Sequence, residues 1–334
     1  MRSTADVGPG DHVCAVPVSD EQLWEISADF VAGGLSRNEQ VCYFDDGTVD
    51  SVLGRLADDR VPVDQPLRTG QLEILPAARI RQLFRASLSE ARKLMCARID
   101  EAKARGYAGL RMTGQMSYGT TRPGLLDIVE FESELDELVR SRSVTALCLY
   151  DRVRYTDAQI ERLCGLHGKE LTPPTAYDDG LLRITRTGAT SARLAGDIDH
   201  SNRPAVTRLL ETTLDDALRS HSAPTDIELD LASLRFLDVA GAVALVQGAE
   251  GFPSTHRLVL RDVRPWIARV LDRCGAPFAA QLVLLEFSRP HEGAEAPPPT
   301  PGVAPDEDGP GRQCQDTVAD TVGEGTAGTL REVR

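Results

Sequence analysis

What most constrains this chain is an alternation. From Asp11 to Leu171, short apolar runs of strand length are separated by stretches with helical patterning: VCYF (Val41 to Phe44), QLEIL (Gln71 to Leu75), GLRMTG (Gly109 to Gly114) and VTALCLY (Val144 to Tyr150). Between Ser19 and Leu35, the apolar residues Leu23, Ile26, Phe30 and Val31 recur near a 3.6-residue period, and Ser19 is placed to cap. Ala77 to Arg105 reads as one long helix rich in Arg and Ala. Pro123 to Val139 reads as a helix with proline in its first turn and Leu126, Val129, Leu135 and Leu138 near one face. Strands that alternate with helices pair in parallel, because each return crossing is itself a helix, and the sheet is then covered on both faces. The expectation is a three-layer α/β domain with a mainly parallel sheet.

At 334 residues, 41% of them hydrophobic and 26% charged, the chain has room for two cores. Its net charge of -14 repels phosphate backbones and anionic lipid, which argues against nucleic acid and membrane as partners. No apolar run approaches the ~20 residues needed to cross a bilayer. The N-terminus, MRSTADVGPGDH, lacks the apolar stretch of a signal peptide, so the expected location is the cytoplasm. Seven cysteines are scattered without a C-x-x-C pair; they read as small hydrophobes, with neither a disulfide framework nor a metal site expected.

Residues 1–10 read as a loose leader, 11–171 as the first domain, and TPPTAYDDG (172–180) as a linker whose prolines, aspartates and glycine disfavour helix and strand. In residues 181–287, LLRITRT and ARLAGDID read as two strands joined at Thr187-Gly188. A helix follows from about Asn202, with Val206, Leu209, Leu210, Leu214, Ala217 and Leu218 on one face. DIELDLAS, RLVLRDV and LVLLEF then read as strands, with GAVALVQGAE and PWIARVLDRC as helices between them. This predicts a small mixed sheet with helices on one side. Residues 288–334 hold seven Pro and seven Gly and no aromatic residue, so they are expected to be a disordered acidic tail.

Two motifs in the second domain carry a family resemblance. LAGDIDHSNRPAV (Leu194 to Val206) looks like a strand end with Gly196, followed by a helix entry at Asp199. IELDLASLRFLDVAGAVAL (Ile227 to Leu245) looks like a strand, a loop and a helix. On these the domain resembles the STAS family, the fold of the anti-anti-sigma factors. The resemblance implies that Asp238, Val239, Ala240 and Gly241 form a partner-binding loop. In the family, the serine just before the glycine accepts phosphate from an anti-sigma factor kinase; here that position is Ala240 and its neighbour is Val239. A methyl group cannot take up the -1.5 to -2 charges of a phosphate, and resembles the unphosphorylated, binding-competent state. Asp238 also reads as the cap of the following helix.

The first domain resembles the MEDS sensory family of DcmR-type regulators. The resemblance rests on DHVCAV near His12, FVAGGL (Phe30 to Leu35), GQLEILPA (Gly70 to Ala77), GYAGLRMTGQMSYG (Gly106 to Gly119) and VTALCLYDRVRY (Val144 to Tyr155). It implies a RecA-like topology. Gln115 and Tyr118 stand where Glu and Trp are expected in many relatives.

The P-loop pattern G-x-x-x-x-G-K-[ST] is absent, and DDGTVDS at Asp45 offers carboxylates where such a loop would offer lysine, so ATP hydrolysis is not expected. His12, Asp45, Asp46, Arg111, Gln115, Tyr118 and Asp151 are candidates for a ligand pocket at the carboxyl edge of the sheet. The plainer reading, loop polarity and helix capping, is preferred because their spacing is not diagnostic of ligands. His167 and His200 lack sequence partners and read as surface residues, and Trp24 and Trp266 as packing residues. The combined expectation is a non-enzymatic regulator without a cofactor. Its sensor would respond to an unidentified small molecule and bias a STAS domain that binds an anti-sigma factor or GHKL-type kinase. The rival readings are a scaffold subunit of a stressosome-like assembly and, less in keeping with the missing P-loop, a nucleotide hydrolase.

Overall fold

The computed structural model describes residues 4–44, 47–116, 127–219 and 225–286. They belong to one compact unit spanning residues 1–294. The expected tail, the pocket candidates Asp45, Asp46 and Tyr118, and the start of the helix expected from Pro123 lie outside the described residues.

The first half contains the strands β1 (His12–Ala15), β2 (Gln40–Phe44), β3 (Leu72–Leu75), β4 (Leu110–Gln115), β5 (Val144–Leu149) and β6 (Lys169–Glu170). They form one parallel sheet in the order β3-β2-β4-β5-β1-β6. Its helices are α1 (Asp20–Ser36), α2 (Val49–Asp58), α3 (Asp64–Thr69), α4 (Ala77–Leu83), α5 (Leu88–Ala104), α6 (Ile128–Ser141) and α7 (Asp157–Cys164). One face of the sheet meets α5 and α6 through Ile99, Phe131, Leu135, Ala146 and Cys148. The other meets α1 and α2 through Phe30, Val31, Val41, Tyr43 and Leu56. The three-layer expectation holds because both faces of the central strands are buried under helices, although β4 presents Arg111 and Thr113 to one of them.

Three local expectations need correction. The stretch from Ala77 is two helices, α4 and α5, because Ser87 caps the second: its hydroxyl accepts from the Glu90 amide while the Glu90 carboxylate accepts from the Ser87 amide. The leader is not loose throughout. Thr4–Asp6 is a turn of 3-10 helix, Val7 is fully buried, and its carbonyl accepts from Arg37 and Arg111. The linker ends in a strand, β7 (Tyr177–Asp178), which extends the second sheet.

That sheet is completed by β8 (Leu182–Arg186), β9 (Ser191–Ile198), β10 (Asp226–Asp230), β11 (Leu234–Leu237), β12 (Arg257–Val263) and β13 (Leu282–Glu286). Its order is β13-β12-β10-β9-β8-β7, with β11 on β9; the β7–β8 and β8–β9 pairs are antiparallel and the rest parallel. Helices α8 (Arg203–Arg219), α9 (Val239–Glu250) and α10 (Pro265–Arg273) pack on it. Inside β9, Gly196 takes φ +96, where a Cβ would run into the Leu181 carbonyl.

The strand period of two then sorts the second sheet. Leu182, Ile184, Leu194, Ile227, Leu229, Leu258 and Leu260 face the helices. Their neighbours Arg183, Thr185 and Arg193 point the other way, onto α1 and α2 of the first half.

Candidate functional site

Three features stand out as places where chemistry or recognition can occur. The first is buried under α6. In the parallel register Cys14 lies beside Cys148 and His12 beside Ala146, so His12, Cys14 and Cys148 share the sheet face that α6 covers. His12 Nε2 lies 3.3 Å from Glu132 Oε2, and His12 Nδ1 lies 3.4 Å from Asp136 Oδ1, one helical turn later. The Cys148 thiol donates to Glu132 Oε2 at 3.4 Å and lies 3.6 Å from His12 Nε2. The Tyr150 hydroxyl donates to Glu132 Oε1 at 2.6 Å. His167, in the turn after α7, sits with its ring centroid 4.1 Å from that of His12 at a 48° tilt, and its Nε2 lies 3.6 Å from Glu132 Oε2.

The side chains of His12, Glu132 and His167 are almost completely removed from solvent, and Cys148 is buried with them. Burial opposes ionisation of Glu132, yet the His12 hydrogen bond and the fields of His167 and His12 outweigh it and hold this carboxyl below its ordinary range. Burial, reinforced by the Glu132 charge, pushes the Cys148 thiol and the Tyr150 hydroxyl well above theirs. Burial lowers His167.

Beside this cluster, an apolar cavity of about 110 Å³ lies between α4, α5, α6 and the sheet. Phe84, Met95, Met116, Phe131 and Leu135 line it, and so does Cys148, which is common to the cavity and the cluster.

The pocket expected at the carboxyl edge does not assemble among the described residues. Arg111 pairs in register with Thr145 and His12 with Ala146, so the two lie on opposite faces, and both sit toward the amino ends of their strands. Arg111 is a fully buried strut. It donates to Glu39 at 2.6 Å and to the carbonyls of Phe30 and Val7, and its guanidinium stacks on the Phe30 ring. It passes close to α1 where Gly34 offers no side chain: a Cβ there would lie 2.9 Å from its Nε. Asp151 caps a turn, accepting from the Val153 amide at 2.7 Å. Gln115 ends β4, half-buried and away from both. His167 is not a surface residue, as expected from sequence, but a member of the buried cluster.

The second feature is the STAS-like loop. Asp238 caps α9, its carboxylate accepting from the Gly241 amide at 2.6 Å. A Cβ on Gly241 would lie 2.6 Å from Ile198 and 2.9 Å from Leu237, so the close packing of helix on strand requires glycine. Ala240 is half-buried and opens onto a groove between α8 and α9 that also takes in Arg203, Leu214, Val243 and Gln247. Val239 is 66% exposed, Phe236 51% and Trp266 46%, flanking the loop with apolar surface. Trp266 is therefore not a core residue: its indole N–H reaches the Arg235 carbonyl and Arg264 stacks on its ring.

The third feature is the seam between the halves. Glu25 on α1 accepts from Arg183 at 2.5 Å and from Thr185 at 3.1 Å. Arg193 pairs with Asp59 and reaches Ser233, whose hydroxyl also donates to Asp59. Arg235 on β11 pairs with Glu21, and Arg264 with Asp58, each at 2.5 Å. Arg60 answers in the opposite sense, to Asp230 and Asp262. Arg60 and Asp262 are both left-handed (φ 59 and 55), a conformation that ordinary residues hold only where their surroundings over-determine it. Among the described residues, none of the apolar core clusters bridges this seam.

Comparison with known proteins agrees with this division. A family model for the methanogen/methylotroph, DcmR sensory domain (MEDS) matches residues 11–168, and one for the Mlab STAS domain matches residues 183–277. No curated protein matches the sequence. Among solved structures, the flagellar accessory protein FlaH from Methanocaldococcus jannaschii is similar at 9% identity and a TM-score of 0.40, over 56% of this chain and 79% of that one, a likeness too slight to carry an argument. Among the described residues, no helix is long and apolar enough to cross a membrane. The chain carries a MEDS sensory domain followed by a STAS domain.

Proposed function

We propose that the chain is a non-enzymatic signalling regulator in which the MEDS domain biases a STAS domain that binds an anti-sigma factor or a related GHKL-type kinase. In this reading it acts as an antagonist of that partner, without the phosphoacceptor serine. The observation that carries the reading is the loop itself. Asp238 and Gly241 keep the cap and the close packing of α9, Ala240 stands at the phosphoacceptor position, and exposed Phe236, Val239 and Trp266 surround it. The α8–α9 groove beside Ala240, lined by Leu214 and Val243 together with Arg203, Glu211 and Gln247, suits an amphipathic partner helix.

Regulation then falls to the sensor. Arg235, one residue before Phe236, is held by Glu21 on α1, so a shift of α1 reaches the loop through a single strand. A tenfold change in partner occupancy needs a bias of only ~1.4 kcal/mol between two arrangements. The apolar cavity beside Cys148 fits a small apolar effector better than the polar ligand that the carboxylate candidates implied.

The test is co-purification from the native host, followed by incubation with the captured partner and ATP. The reading predicts a GHKL-type kinase among the co-eluting proteins and no phosphate on residues 238–241. Capture of other STAS proteins in a large assembly, with no kinase, would replace it with the scaffold reading. Nucleotide turnover by the purified chain would replace it with an enzyme.

A further inference from the structure

We infer that His12, Glu132, Cys148 and His167 form a binding site for a divalent transition metal of the zinc class. The donor atoms of these four residues all lie within 4.8 Å of one another. The separations at hand are 3.3 Å (His12 to Glu132), 3.4 Å (Cys148 to Glu132), 3.6 Å (Cys148 to His12) and 3.6 Å (His167 to Glu132). Four ligands placed tetrahedrally at ordinary zinc bond lengths lie about 3.4–3.7 Å from each other. Little movement is needed to close the set on an ion.

The hydrogen bonding of His167 points the same way. Its Nδ1 lies 2.9 Å from the Leu163 carbonyl, so Nδ1 carries the proton. In the neutral ring, Nε2 then presents a lone pair to the carboxylate oxygen of Glu132, and it has no hydrogen-bond partner. Two acceptors facing each other in a dry interior are unfavourable unless a cation lies between them. The Cys148 thiol, which donates to the same carboxylate oxygen at 3.4 Å, would give up that proton to ligate a metal ion as the thiolate.

The donor set selects the ion. Two imidazoles and a thiolate suit zinc and its close neighbours and disfavour magnesium or calcium, which prefer all-oxygen sites. The outer partners are also in place. Asp136 Oδ1 lies 3.4 Å from His12 Nδ1, close enough to orient it though not hydrogen-bonded to it, while the Leu163 carbonyl holds His167 and the Tyr150 hydroxyl holds the second oxygen of Glu132. Four protein ligands leave no position for water, which describes a site that organises structure or reports on its surroundings. Because Cys148 also walls the apolar cavity, a molecule entering the cavity would touch a metal ligand.

The experiment uses the full chain, stripped with chelator under reducing conditions and reloaded with zinc or with cobalt(II). The inference predicts one tightly held zinc per chain by elemental analysis. It also predicts a cobalt complex with intense tetrahedral visible bands and a thiolate-to-cobalt charge-transfer band. Cys148→Ser should abolish the charge-transfer band, whereas Cys274→Ser, in the other domain, should keep it. Asp136→Asn, at a partly exposed outer partner, should fold and weaken zinc binding by about 10–100-fold. Substoichiometric zinc in the wild type, a cobalt spectrum without the thiolate band, or an unchanged band in Cys148→Ser would each overturn the assignment. All of these readouts are independent of any STAS partner.

Discussion

The two sheets of this molecule solve the same burial problem differently. The MEDS sheet is all parallel and carries an apolar cluster on each face, so it closes its own core between two helical layers. The STAS sheet is apolar on one face only. Its other face carries Arg183, Thr185 and Arg193, and it is covered by acidic groups of α1 and α2 rather than by helices of its own domain. A face that buries charge against charge gains little net stability, because desolvation offsets most of the attraction. It gives orientation instead, since each guanidinium is satisfied in only one arrangement. The first sheet builds a container; the second builds a joint.

The comparison breaks most visibly on the apolar side. Leu229→Ala, in the fully buried STAS core, should lower the stability of that domain by about 3–5 kcal/mol in denaturant unfolding, and leave zinc stoichiometry in the MEDS domain unchanged. On the ionic side, Arg183→Ala leaves Glu25 and Asp178 without their shared buried partner. It should cost on the order of 3 kcal/mol. Arg183→Met, which keeps volume without charge, should not recover the loss unless Glu25→Leu is made as well. If Arg183→Ala proves neutral, the joint is not held at that point.

Much of this was legible in the sequence, for reasons that particular residues make plain. The alternation of apolar runs and amphipathic stretches fixes both sheets, and Ser19 caps α1 where expected, accepting from the Gln22 amide at 3.2 Å. Asp238 likewise caps α9, a link visible from the loop motif alone. The break at Ser87 was also readable as Ser-x-x-Glu, but the Ala- and Arg-rich run masked it. What sequence spacing could not reveal was the cluster. His12, Glu132, Cys148 and His167 come from a strand, a helix, a second strand and a turn, and only the parallel register of β1 on β5 brings them together. Arg183 and Arg193 follow the strand alternation as solvent-side residues would. Nothing local shows that their solvent is another domain.

Smaller effects sharpen the joint. Asp238→Ala should cost about 1 kcal/mol through loss of the α9 cap, without altering the seam. Acidification has a defined sign at Glu21. Burial raises its carboxyl above the ordinary value, against the pull of Arg235. A group whose folded pKa is raised favours the folded state below its unfolded pKa, and that contribution is lost as pH rises through the folded value. Stability should therefore fall slightly as pH climbs out of the carboxylate range, and Glu21→Gln should flatten the slope. Raising salt to 1 M should change the midpoint least, since most of these pairs are half-buried or better.

On the proposed function, the ionic face couples the MEDS domain to the 238–241 loop through Arg235 and Glu21. Amide hydrogen exchange on the full chain, comparing wild type with Arg235→Glu, tests it most directly. The coupling predicts faster exchange both in residues 234–241 and across the seam in the first turns of α1, at residues 20–25. Acceleration confined to 234–241, with α1 as protected as in wild type, would show that the two domains touch without communicating.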